Sequence, residues 1–171
     1  MDGFISIGGA WKFLTWLPKF VLRRIFTKER MSELILFDIR PRGRNFTLNL
    51  GGGANYDVWV RFINISPFVV EMEKLEAELW CNGAILKTGI NKRINIAPGE
   101  VMEQRLWGNI PDSHADQIAK NGPEGPLVLK GNMDFNCKIA NFSKHDWSLG
   151  DICPWVINGD VRKKQKQSGV V

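Results

Sequence analysis

The chain has 171 residues, 44% of them hydrophobic and 24% charged, with a formal net charge of +5. That length suits one domain with appendages, and the balance excludes a chain disordered throughout. The charge is unevenly placed: residues 1–30 carry six lysines and arginines against Asp2 and Glu29, residues 161–171 carry Arg162, Lys163, Lys164 and Lys166 with no acid, and the body between them is mildly acidic. Basic ends on an acidic body speak against a nucleic-acid-binding core and suit arms that meet an anionic surface.

Met1–Gly9 reads as a flexible lead-in, and residues 10–30 read as an amphipathic helix. Lys12, Thr15, Lys19, Arg23 and Thr27 recur every three or four residues and make one narrow polar stripe, while the remaining surface is aromatic and aliphatic. The segment is not a signal peptide in form, because cations interrupt its apolar run and no small-residue cleavage site follows. Nor does it suit a membrane span, which needs about 20 nearly uncharged apolar residues. Pro18 kinks the helix or restarts it near Leu17. A bent helix lying in the headgroup plane fits these features, with Trp11 and Trp16 at the depth indole rings favour. The membrane-binding candidates are Trp11, Lys12, Phe13, Trp16, Leu17, Lys19, Phe20, Arg23, Arg24 and Phe26. An alternative stays open: the helix folds back over the body, burying Phe13, Leu17, Phe20 and Leu22, or packs against a partner or another copy. The cations favour the membrane, since each Lys or Arg near an anionic leaflet adds about 1 kcal/mol.

From Leu34 the period changes to two. Strands are predicted at 34–39, 46–50, 56–63, 74–81, 84–88, 93–96, 101–107, 127–139 and 152–157. Asn82-Gly83 is a two-residue hairpin signal, and Ala97-Pro-Gly99 is a turn. Asp112–Lys120 is the only internal helix, with Asp112 as its cap and Gly122-Pro123 at its end. In 127–139, Leu127, Leu129, Met133, Phe135, Cys137 and Ile139 face inward, with Gly131 among them. His145-Asp146, beside Trp147, reads as a loop, and the tail from Arg162 reads as disordered. The expected architecture is mainly β: an antiparallel sandwich of the immunoglobulin or fibronectin kind, with an N-terminal amphipathic helix and one short internal helix. Its parts are residues 1–30 (helix), 31–160 (sandwich) and 161–171 (basic tail).

One run of features, over about residues 56–140, resembles a known family. Phe62-Ile-Asn64-x-Ser66-Pro67 precedes an alternating strand, the Asn82-Gly83 hairpin and Gly89; Ile94-x-Ile96-Ala-Pro98-Gly99-Glu100, a short helix and Leu127-Val-Leu-Lys-Gly131-x-x-x-Phe135 follow. This order resembles the water-stress and hypersensitive-response domain of LEA14-like proteins. The resemblance implies an immunoglobulin-like or fibronectin-like sandwich, a role in stress response, and an N-terminal hydrophobic membrane segment of the kind the family's plant defence relatives carry. It implies no catalytic residue. The chain departs from the family in having Asn-Ile-Ser-Pro where Asn-Pro is more direct, and in an N-terminal segment that is interfacial rather than spanning.

Little in the sequence argues for an enzyme. His114 and His145 are the only histidines and lack evident partners. Glu71, Glu73, Glu76 and Glu78 suit a solvated strand face, Ser66, Ser113 and Ser143 lack a nucleophile elbow, and Gly51-Gly-Gly53 is neither a P-loop nor a dinucleotide fingerprint. Cys81, Cys137 and Cys153 are odd in number without CxxC spacing, so neither a disulfide framework nor a zinc site is indicated, and no cofactor is expected. Sequons at Asn45, Asn64 and Asn141 carry little weight without a secretory signal. Arg40, Arg42 and Arg44 alternate with Pro41 and Gly43 and are candidates for anion binding, beside the simpler reading of an exposed charged turn. The sequence thus describes a non-enzymatic peripheral membrane protein on the cytoplasmic side, with an anionic membrane surface as partner. Its alternative is a protein-interaction or homo-oligomeric subunit that packs through the helix.

Overall fold

The alternating segments assemble into two packed sheets. The computed structural model describes residues 14, 16–40, 44–123 and 125–162. Along them run β1 (Ile35–Ile39), β2 (Phe46–Asn49), β3 (Asn55–Asn64), β4 (Val70–Cys81), β5 (Ala84–Ile90), β6 (Ile94–Ile96), β7 (Val101–Asn109), β8 (Leu127–Cys137), β9 (Asn141–Ile152) and β10 (Trp155–Ile157). The helices are α1 (Lys19–Ile25), α2 (Lys28–Glu33) and α3 (Asp112–Asn121).

Each sheet is organised around one long strand. In the first, β7 pairs along one side of β3, while β1 and β2 lie end to end along the other. β10 extends that sheet in parallel with β2. In the second, β8 pairs along one side of β4, β5 and β6 lie end to end along the other, and β9 sits outside β8. All pairs except β10–β2 are antiparallel. The inward residues of both sheets share one core: Val58, Val60 and Phe62 on β3 with Leu75 and Leu79 on β4 and Leu129, Met133 and Phe135 on β8. This is the sandwich that the period-two pattern predicts.

The long strands define two poles. The first gathers Asn64, Val70, Val101, Cys137 and the start of β1, together with α1 and α2. The second gathers the Asn82-Gly83 hairpin, Asn109, α3 and Arg162. At about 3.3 Å per residue, the twelve residues of β4 separate them by about 40 Å.

At the first pole, the motifs behind the family resemblance meet on one buried side chain. Asn64, at the end of β3, is fully buried. Its Nδ2 donates to the carbonyls of Phe68 and Ile96, both at 2.8 Å, and its Oδ1 accepts from the Ser66 backbone N–H at 3.0 Å and the Ser66 hydroxyl at 2.7 Å. Its backbone accepts from Gly99 N–H and donates to the Glu100 carbonyl. Gly99 has φ +77°, as the second central residue of a type II turn requires. The Asn64 sequon is therefore sealed inside the sandwich.

The structure corrects the sequence reading in several places. Pro111 caps α3, with Asp112 its first residue, and the predicted 152–157 strand divides between the end of β9 and β10. The helix expected over 10–30 is interrupted: Pro18 caps α1, Phe26 ends it, and Thr27 starts α2 by accepting from Arg30 N–H. β4 begins at Val70, four residues before the predicted start, because a bulge between Met72 and Lys74 reverses the phase of the alternation. β9 replaces the expected loop around His145. Its buried residues Phe142, Trp147 and Ile152 are spaced by five, because the pairing with β8 slips twice, and Asp146 and Asp151 take φ of 52° and 56° near the slips. Finally, Arg162 is docked instead of disordered. It donates to the Leu50 and Gly51 carbonyls and pairs with Asp112 at 2.7 Å and Asp116 at 2.9 Å. The rest of the predicted tail lies outside the described residues.

Candidate functional site

The strongest candidate surface is the first pole, where α1 lies against the sandwich. Leu22 and Phe26 enter the core, and Phe26 meets Phe68 edge to face at 5.2 Å. Leu14 and Leu17 pack partly against the same core. Phe26 and, in part, Leu17 are therefore anchors, a correction to their placement among membrane-facing residues. Trp16 and Phe20 point the other way, each 76% exposed. Lys19 and Arg24 are exposed beside them. Arg23 is exposed too, but its Nε donates to the Ile139 carbonyl at 2.7 Å and fastens α1 to the β8–β9 turn. The surroundings of the helix continue the same chemistry. Ile25 and Val69 are exposed apolar residues, and Lys28 and Lys138 are exposed cations. Glu29 is the acid among them, its carboxyl held below the usual range by backbone N–H at the start of α2 and by Thr27. Trp11, Lys12 and Phe13 lie outside the described residues, and no described helix is long and apolar enough to cross a membrane.

The arginine candidates lie elsewhere. Arg40 reaches over the Trp59 ring at 4.6 Å, pairs with Glu103 at 3.4 Å and donates to the Arg44 carbonyl. Arg44 covers Trp155 at 4.8 Å. Both therefore sit on the outer face of the first sheet, about 17 Å along β3 from the α1 pole. Arg42 lies outside the described residues. Trp107 completes this face, which also carries the Arg61–Asp38 and Arg105–Asp57 pairs. Among the described residues, most of its cations are thus matched by carboxylates. Arg162 lies at the opposite pole.

Among the described residues, no three His, Cys, Asp or Glu side chains converge to hold a metal. A groove of about 970 Å³ between α2 and the second sheet holds Glu33, Glu73, Asp134 and His145. Its carboxylates have structural partners: Arg93 approaches Glu73 at 3.9 Å, and Ser143 donates to Asp134 at 2.8 Å. The cysteines differ sharply in setting. Cys81 is buried and its thiol is pushed up to about 12 by that burial; Cys137 is half-buried with its Sγ against the Ala140 carbonyl, and Cys153 is exposed. Iodoacetamide at mildly alkaline pH should therefore alkylate Cys153 first, Cys137 slowly, and Cys81 only on unfolding, as peptide mapping would read. Equal labelling of all three in the native protein would contradict this packing. The unfolded Cys81 thiol titrates near 9.0, so its burial weakens the fold progressively as pH rises from there toward about 12.

No family model matches the chain, and no curated protein does. Three solved structures are similar to it in outline. A structural-genomics target designated SoR45 is 9% identical, covering 71% of this chain and 88% of its own, with a TM-score of 0.49. A Bordetella pertussis protein provisionally named ApaA is 10% identical over 70% of this chain and 90% of its own, with a TM-score of 0.42. A protein from Archaeoglobus fulgidus is 9% identical over 67% and 93%, with a TM-score of 0.37. The fold described above rests on the chain's own strand registers.

Proposed function

We propose that this protein is a non-catalytic peripheral membrane protein that docks on anionic bilayers through its α1 pole and projects its sandwich as a binding or scaffold module. The observation that carries this reading is the division of residues 16–26: Leu22 and Phe26 hold the segment on the core, while Trp16 and Phe20 stand 76% exposed beside Lys19 and Arg24. A helix that served only the core would have no use for two outward aromatic rings flanked by cations. Indole and phenyl rings enter the interface, and the cations meet lipid phosphate. The buried Leu22 and Phe26 support a packing role for the opposite side of the helix, and the two roles are compatible.

Vesicle co-sedimentation tests the proposal. The native protein should pellet with vesicles containing phosphatidylserine, weakly with pure phosphatidylcholine, and less as salt rises. Trp16→Ser with Phe20→Ser removes about 3 kcal/mol of apolar insertion, roughly a hundredfold in affinity, at 25 cal/mol per Å². Lys19→Glu with Arg24→Glu should abolish the preference for anionic lipid. Unchanged pelleting of the aromatic variant would refute the docking surface.

A further inference from the structure

Among the described residues, β7 is an edge strand without the protection the other edges carry. β9 is bulged twice, and Lys144 Nζ at its side donates to the Ser32 and Ile35 carbonyls at 3.2 and 3.1 Å, tying it to α2 and β1. At β5, Tyr56 Oη donates to the Lys87 carbonyl, and Gln117 on α3 donates to Gly83 in the adjoining hairpin. β6 and β10 have three residues each and β1 has five. β7 by contrast runs nine residues, in unbroken register with β3. β5 passes near it but spends its ladder on β4. Long, regular, uncovered edges are templates for another strand.

The direction of its free groups is fixed by the ladder. Asn64 N–H donates to the Glu100 carbonyl and Ile110 N–H to the Ala54 carbonyl, so bonded pairs with β3 fall at even-numbered residues of β7. The N–H and C=O of Val101, Glu103, Arg105 and Trp107 therefore point away from β3. These four side chains also share the outer face: Val101 is 55% and Trp107 64% exposed. The order Val101-Met-Glu-Gln-Arg-Leu-Trp107 is self-complementary about Gln104. Laid antiparallel on its own copy, it sets Glu103 opposite Arg105 twice, Val101 opposite Trp107 twice, and Met102 opposite Leu106 twice. Both outward bonded pairs use the residues whose backbone groups are free. A slip of one pair in either direction would set Glu103 against Glu103 or Arg105 against Arg105, which is repulsive.

We infer that β7 is a homodimerisation edge: a second copy of this chain pairs with it antiparallel about a twofold axis at Gln104, and the first sheets of the two copies become one. Charge complementarity selects the occupant and its register. Glu103 and Arg105 already touch Arg40 and Asp57 within the chain, yet each retains further hydrogen-bonding capacity, with side chains 41% and 52% exposed.

Sedimentation velocity of the full chain in lipid-free buffer, across a concentration series, tests this. The native protein should show a monomer–dimer equilibrium. Glu103→Arg or Arg105→Glu alone should each weaken it roughly tenfold or more, because both symmetry-related pairs become like-charged. The double exchange restores unlike pairs and should recover the dimer, although it breaks the internal contacts in both copies; thermal melts confirm that each variant is folded. The Trp16→Ser/Phe20→Ser variant should dimerise normally, which separates this proposal from the membrane reading and from packing through α1. A monomer at every concentration, a dimer indifferent to the single reversals, or a double exchange no better than the singles would each overturn it.

Discussion

Replacing Asn64 with Ala should be among the most damaging single changes in the molecule, costing about 3–5 kcal/mol. The side chain is fully buried and ties its own loop to β6, accepting from Ser66 and donating to Phe68 and Ile96. Alanine leaves two carbonyls and the Ser66 donors without this partner in a place water does not reach. Domain stabilities are about 5–15 kcal/mol, so the loss is a large share, and the melting temperature should fall by roughly 10 °C. Asn64→Asp should be no milder at neutral pH, because a carboxylate would face the two carbonyls that the amide now serves. Burial would raise the pKa of that carboxyl above its unfolded value. Its deficit against the native protein should therefore shrink as pH falls and the carboxyl takes up its proton. Chemical denaturation at two pH values reads both effects. A loss below about 1 kcal/mol for Asn64→Ala would show that the hub is not cohesive.

Gly131→Ala should be comparably severe, for a steric reason. Gly131 lies midway along β8, opposite Ala77 of β4 and Trp147 of β9. A Cβ there would drive into the Glu76 carbonyl oxygen and come within 2.9 Å of Ala77 Cα and of Trp147 Cζ2. Backbone cannot yield as a long side chain can, so β8 would have to part from its neighbours, at about 3–5 kcal/mol. Trp147 also abuts Phe37 of the first sheet at 4.5 Å, so the disturbance would cross the sandwich. Gly52→Ala is the control: nothing lies within 4 Å and its φ is not positive, so its change should stay within about 0.5 kcal/mol. Urea denaturation of both variants makes the comparison, and a mild Gly131→Ala would contradict the close approach of β4.

What could be read from the sequence was whatever kept a single phase. β3 and β8 alternate without interruption, and both were located within one or two residues. The Asn82-Gly83 hairpin was legible because its chemistry is local, and the two residues have φ of 44° and 94°. β9 was not legible, because its bulges turn period two into a spacing of five. The bulge after Met72 hid the first part of β4 in the same way. Helical spacing grouped Leu22 and Phe26 with Trp16 and Phe20 as one apolar surface, but only the position of Phe68 decides which side rests on the sandwich. The face holding Trp59, Trp107 and Trp155 comes from three strands, and its existence depends on register. Arg162 stood in an apparently featureless basic run, and its partners Asp112 and Asp116 are about fifty residues away in the chain.

The antiparallel sense of the β7 contact has a consequence for the α1 pole. A twofold axis at Gln104 turns one copy end over end against the other. The two Trp16–Phe20 pairs would then face opposite ways, offset by about 20 Å along the strands, because Val101 lies three residues from the axis. Such a dimer would show only one of its two exposed aromatic pairs to any single flat surface.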